Sequence, residues 1–115
     1  MDKSTLWCVY EGPIERDGVT HGGAVNLRTR EGFAVAVFAD EAMARWFLAK
    51  FELDKGPVPR AVIPLSSLGT AEYPRRASKG LPQPFKKIVF PSQEVLEEWA
   101  RDRESFATRP FVSRL

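Results

Sequence analysis

The run Gly32-Phe-Ala-Val-Ala-Val-Phe38 constrains the fold more than any other feature, because every position after the glycine is apolar. Side chains alternate across a β-strand, so Phe33, Val35 and Val37 would face one way and Ala34, Ala36 and Phe38 the other. A strand that is apolar on both faces must be covered on both, which makes it central. Its alanine face admits close approach by whatever packs there.

The rest of the chain is read outward from that strand. Residues 24–28 precede it across Thr29-Arg-Glu-Gly32, the pattern of a hairpin. Residues 5–10, rich in aromatic and branched side chains, form an earlier strand that stops at Glu11-Gly-Pro13. Asp17-Gly18 marks a tight turn, since glycine tolerates positive φ. Asp40 is placed to cap a helix over residues 41–53, with Glu41 at the positive end of its dipole. Residues 60–65 read as a short strand and 66–69 as one helical turn. A Pro-, Gly- and Arg/Lys-dense loop follows over 73–83. Residues 85–90 read as the last strand, and Ser92 caps a second helix through about residue 105.

One local pattern occurs twice. Ala36-Val-Phe-Ala-Asp-Glu41 leads to Trp46, and Ile88-Val-Phe-Pro-Ser-Gln93 leads to Trp99. Each is a strand, a phenylalanine, a spacer, a cap residue and a helix carrying a tryptophan on its inner face. Together these elements predict that residues 1–115 form a single α+β domain. It has two layers: a mixed, mostly antiparallel sheet of about five strands, and two main helices chiefly on one face. A doubly wound parallel sheet is the alternative, but too few helices separate the early strands.

Composition narrows the function classes. One cysteine, Cys8, leaves no internal disulfide, and one histidine, His21, leaves too few ligands for a zinc site built from this chain alone. No apolar run approaches the ~20 residues that span a bilayer, and the N-terminus lacks the basic-then-apolar pattern of a signal peptide. The expectation is a cytoplasmic protein without a membrane partner. Few side-chain amides and nine prolines fit a heat-adapted bacterial source, and equally fit a GC-rich genome.

Possible chemistry is sparse. Cys8 and His21 are the one conceivable thiol–imidazole pair, but Cys8 falls in an apolar strand, where cysteine behaves as a small hydrophobe. Glu11, Glu15 and Asp17 cluster in one loop and read as a solvated acidic turn. His21 precedes Gly22-Gly23 in a turn, and this glycine pair lacks the pattern and following helix of a phosphate loop. No catalytic residue, metal ligand or cofactor is assigned.

Two surfaces remain. On the first helix, Met43, Trp46, Phe47 and Phe51, joined by Leu48 and Leu53, wrap more than half the circumference. One sheet face cannot cover all of them, so either other elements flank the helix or Met43, Trp46, Phe47 and Phe51 form a protein contact. Arg75, Arg76, Lys79, Lys86 and Lys87 form the one basic concentration, bracketed by Tyr73 and Phe85. Cations interleaved with aromatics suit a nucleic-acid backbone and its bases. Against this stands a near-neutral total, 17 Lys and Arg to 15 Asp and Glu, or +2.

The order of strand, loop, Gly32-to-Phe38 run, Asp40-capped helix with Trp46, and Val62-Ile-Pro-Leu-Ser-Ser-Leu68 resembles the N-terminal domain of the bacterial enhanced-serine-sensitivity family over residues 5–70. That family's Asn-Pro-Gly run is replaced nearby by Leu81-Pro-Gln-Pro84. The whole chain also resembles small bacterial proteins classed as domains of unknown function. Both resemblances imply a small α/β scaffold with no assigned chemistry. The favoured reading is a non-enzymatic protein-interaction module, self-associating as a homodimer through the helix over 41–53. The alternatives are a nucleic-acid-binding accessory protein using residues 73–87, and an enzyme whose site is completed by a cofactor or a second subunit.

Overall fold

The computed structural model describes residues 5–29, 32–75 and 86–101. They form an α+β fold: a six-stranded, mostly antiparallel sheet and two helices. The strands are β1 (Trp7–Arg16), β2 (Val19–Ala24), β3 (Asn26–Thr29), β4 (Gly32–Phe38), β5 (Arg60–Pro64) and β6 (Lys87–Phe90). The helices are α1 (Glu41–Lys50) and α2 (Gln93–Arg101), and a single 3-10 turn covers Leu65–Ser67. The sixth strand arises because His21-Gly-Gly23, expected in a turn ahead of a strand over 24–28, lies in a strand of its own, Val19–Ala24.

β1 and β2 make a hairpin closed by Asp17 and Gly18, with φ of 55° and 76°. Both turn residues are left-handed, the conformation an Asp-Gly pair favours and one that matches strand twist. β1 runs past Glu11 to Arg16, further than the sequence suggests. It does so by bulging between Glu11 and Ile14, around a cis Gly12–Pro13 peptide. At Val25 the chain changes partner. The Val25 amide donates to Val9 at 2.8 Å, while the Val25 carbonyl accepts from Ala36 at 3.2 Å. Beyond it, β3 pairs with β4 instead of β1. The two hairpins therefore diverge from this residue, and β1 meets β4 directly at Trp7 and Phe38.

β4 is covered on both faces, as its composition requires. Ala34, Ala36 and Phe38 join Val9, Ile88 and Phe90 under the helices, with Met43, Ala44, Phe47, Leu96 and Trp99 above them. Val35, Val37 and Val89 are buried on the opposite face, against Leu6, Ala24 and Leu65. Beside them Cys8, Tyr10 and Ile63 pack under Leu65, Leu68 and Tyr73. Both helices thus occupy one face, and the 3-10 turn with the segment after it closes part of the other.

The twice-used joint has a structural meaning. β4 and β6 are parallel neighbours with Ala36 opposite Ile88 and Phe38 opposite Phe90, so the two joints lie side by side. The rings of Phe38 and Phe90 stack with centroids 5.6 Å apart. Each strand then delivers its chain to a capped helix two residues later. Asp40 accepts from the Met43 amide at 2.9 Å, and the Ser92 hydroxyl accepts from the Val95 amide at 3.3 Å. Helix α1 ends at Lys50, short of residue 53, where Phe51 caps it and Glu52 turns left-handed at φ 54°.

Candidate interaction surfaces

The apolar excess on α1 is mostly absorbed inside the molecule, which corrects the expectation of a four-residue contact patch. Met43 and Phe47 are each 2% exposed. Phe51 packs its ring 5.0 Å from Phe47 and 5.3 Å from Trp99. The cause is α2, which lies beside α1 over the same sheet face, so its Trp99 covers the flank the sheet cannot reach. Of the four residues, Trp46 and Phe51 stay partly buried, and Trp46 forms one wall of a groove between the helices. Lys50, Glu97, Ala100 and Arg101 complete that groove, whose volume is about 340 Å³. A large aromatic set in a groove with both charge signs on its rim has the composition of a protein-contact centre and its polar edge.

A second concavity, about 270 Å³, lies where the hairpins diverge. Glu11 and Ile14 line it from β1, His21, Gly22, Gly23 and Ala24 from β2, and Asn26 from β3. The bulge makes this arrangement possible. The extra residue lets Glu11 and Ile14, three apart in sequence, face the same side as their partners Gly23 and His21. Glu11 accepts from Arg60 Nε at 2.8 Å, and Arg60 also donates to the Leu53 carbonyl at 2.9 Å. The pair ties the concavity's floor to the segment leaving α1.

The opposite side of β2 is closed. The Tyr10 hydroxyl donates to the Pro74 carbonyl at 2.6 Å and lies directly against Gly22, where a Cβ would stand 2.0 Å from that oxygen. Gly22-Gly23 is therefore strand, not turn. Gly22 admits the tyrosine, and among the described residues nothing lies within 4 Å of where a Cβ on Gly23 would stand.

The structure separates the remaining candidate residues. Cys8 is fully buried, and burial pushes its thiol up to about 11, so it is a protonated core residue at neutral pH. It shares a cluster with Tyr10 and Ile63, whereas His21 lines the concavity on the other side of the sheet. No thiol–imidazole pair forms between them. The acidic turn is likewise dispersed, with Glu11 held at Arg60 and Asp17 at the hairpin tip. Among the described residues no group of three His, Cys, Asp or Glu could hold a metal ion, and no helix is long and apolar enough to cross a membrane. Of the basic set, Arg75 and Lys86 are exposed and Lys87 is partly buried at the start of β6. Arg76, Lys79 and the bracketing Phe85 lie outside the described residues. Tyr73, the other bracket, packs edge-on against Tyr10 at 5.2 Å, so its ring is engaged in holding the chain to the sheet.

Compared with family models, curated proteins and solved structures, the chain matches none. The concavity between the hairpins escaped sequence reasoning altogether. Its signal was the paired glycine in a segment with strand character on both sides.

Proposed function

We propose that this chain is a non-enzymatic protein-interaction module that pairs with a second copy of itself through the α1–α2 groove. The observation that carries the reading is Trp46, the one large aromatic of α1 that the chain's own core leaves at a groove wall. Lys50 and Arg101 on the rim oppose Glu97 in charge. A twofold axis through the groove sets the cations of one copy against the carboxylate of its partner, the self-complementarity an isologous contact needs. A single buried thiol suits a reducing cytoplasmic setting.

Sedimentation velocity across a micromolar concentration series tests this. Trp46→Ala removes an anchor of the kind worth about 2 kcal/mol or more, so the dimer should weaken roughly thirtyfold. Glu97→Lys should also weaken it, and Lys50→Glu added to that variant should restore part of the loss. A wild-type chain that stays monomeric at tens of micromolar, or a Trp46→Ala dimer as tight as wild type, overturns the proposal.

A further inference from the structure

A different surface, the outer edge of β2, carries an inference of its own. β2 has one partner strand among the described residues, β1. Its register sets Val19, His21 and Gly23 opposite Arg16, Ile14 and Glu11, and the Val25 amide donates to Val9. Backbone groups of alternate residues point to alternate sides of a strand, so the peptide groups of Thr20, Gly22 and Ala24 point away from β1. Edge strands of this kind are ordinarily guarded by lysine, proline or a bulge. The sequence Val19-Thr-His-Gly-Gly-Ala24 contains neither residue, and the bulge sits on β1 instead.

The side chains beside that edge specify a guest. Among the described residues the large apolar side chain left exposed is Val19, at 48%, on this strand. Gly23, on the same face, presents no side chain, so a guest residue beside it looks across the glycine to Glu11. Glu11 is 44% exposed and uses Oε2 for Arg60. A carboxylate accepts about four hydrogen bonds, so it can take a second cation. The concavity of about 270 Å³ gives that cation room beside His21 and Asn26.

We infer that β2 is a docking edge for an extended peptide that adds as a further strand, placing a lysine or arginine against Glu11 and an apolar residue, four positions away, against Val19. Main-chain hydrogen bonds to Thr20, Gly22 and Ala24 supply affinity, and the two alternating side chains supply selectivity. The proposal is independent of the α1–α2 groove, since none of its residues lies on either helix.

The test is titration of the full ¹⁵N-labelled chain with a capped seven-residue peptide of alternating valine and threonine carrying arginine four residues from one valine. Amide shifts should saturate and centre on Thr20, Gly22 and Ala24. Replacing the arginine by neutral citrulline, or Glu11 by Gln, should each raise Kd about tenfold. Methylating alternate peptide nitrogens on the strand-pairing side should abolish binding, and this arm leaves the protein untouched. Unmoved β2 amides, shifts centred elsewhere, or an N-methylated peptide that binds equally well would overturn the proposal. So would concentration-dependent shifts at residues 19–24 without peptide, which would assign the edge to a second copy.

Discussion

Gly22→Ala offers the sharpest check on how the sheet is closed on its non-helical side. An alanine Cβ would lie 2.0 Å from the Tyr10 hydroxyl oxygen, 2.7 Å from the Pro74 carbonyl oxygen and 2.8 Å from Tyr10 Cζ. Tyr10 is fully buried, with Tyr73 against its ring, so it cannot swing aside without opening its cluster. Overpacking of this kind costs about 1–3 kcal/mol. Displacing the hydroxyl from Pro74 adds about 1 kcal/mol for the lost hydrogen bond. Alanine recovers about 0.5–1 kcal/mol by restricting the unfolded chain. The net expectation is a loss of about 2 kcal/mol, or about 8 °C in Tm for a domain of this size. Tyr10→Phe should cost about 1–1.5 kcal/mol, because the Pro74 carbonyl is left unpaired. The double variant is decisive. Once the hydroxyl is gone the new methyl has less to collide with, so the two losses should sum to about 1 kcal/mol more than the double variant shows. Urea unfolding followed by tryptophan fluorescence measures all three. Additivity within about 0.3–0.5 kcal/mol, or a Gly22→Ala protein as stable as wild type, would refute the reasoning.

Two further outcomes follow from the same geometry. Burial raises the Cys8 thiol from 9.0 to about 11, so the folded state holds the proton more tightly than the unfolded chain. The corresponding stability is fully present below pH 9 and is lost as pH rises towards 11, by up to about 2–3 kcal/mol; urea midpoints should fall more steeply over that range for wild type than for Cys8→Ala, and parallel curves would contradict the assignment. Asp40→Ala removes the side-chain acceptor of the Met43 amide and should cost about 1 kcal/mol, whereas Glu41→Ala, which breaks an exposed pair with Arg45, should cost under about 0.5 kcal/mol; equal losses in thermal melts would place the cap elsewhere.

Much of the architecture was legible locally. The two-faced apolarity of β4 placed it in the interior, Asp17-Gly18 located a hairpin, and Asp40 and Ser92 located both helix starts, because each rests on chemistry within a few residues. Gly22-Gly23 misled for the complementary reason. Glycine signals a turn when only the backbone is considered, yet here Gly22 is a strand residue answering a tyrosine hydroxyl from the neighbouring strand. The contact patch on α1 shows the same limit. Helical spacing identified Met43, Trp46, Phe47 and Phe51 as too many for one sheet face, but it could not reveal that Trp99 of α2 covers the flank. The β2 edge was invisible, since which strand margin lacks a partner strand among the described residues is decided by neighbours that the sequence does not order.

The parallel pairing of Val35–Phe38 with Lys87–Phe90 also sets a schedule for biosynthesis. A nascent chain can close its first two hairpins early, but the middle strand keeps one flank open until its parallel partner, about fifty residues downstream, has been translated and has cleared the ribosome. Any stall or premature stop before that point releases a chain whose most water-averse stretch is uncovered, and quality-control proteases would meet it in that state.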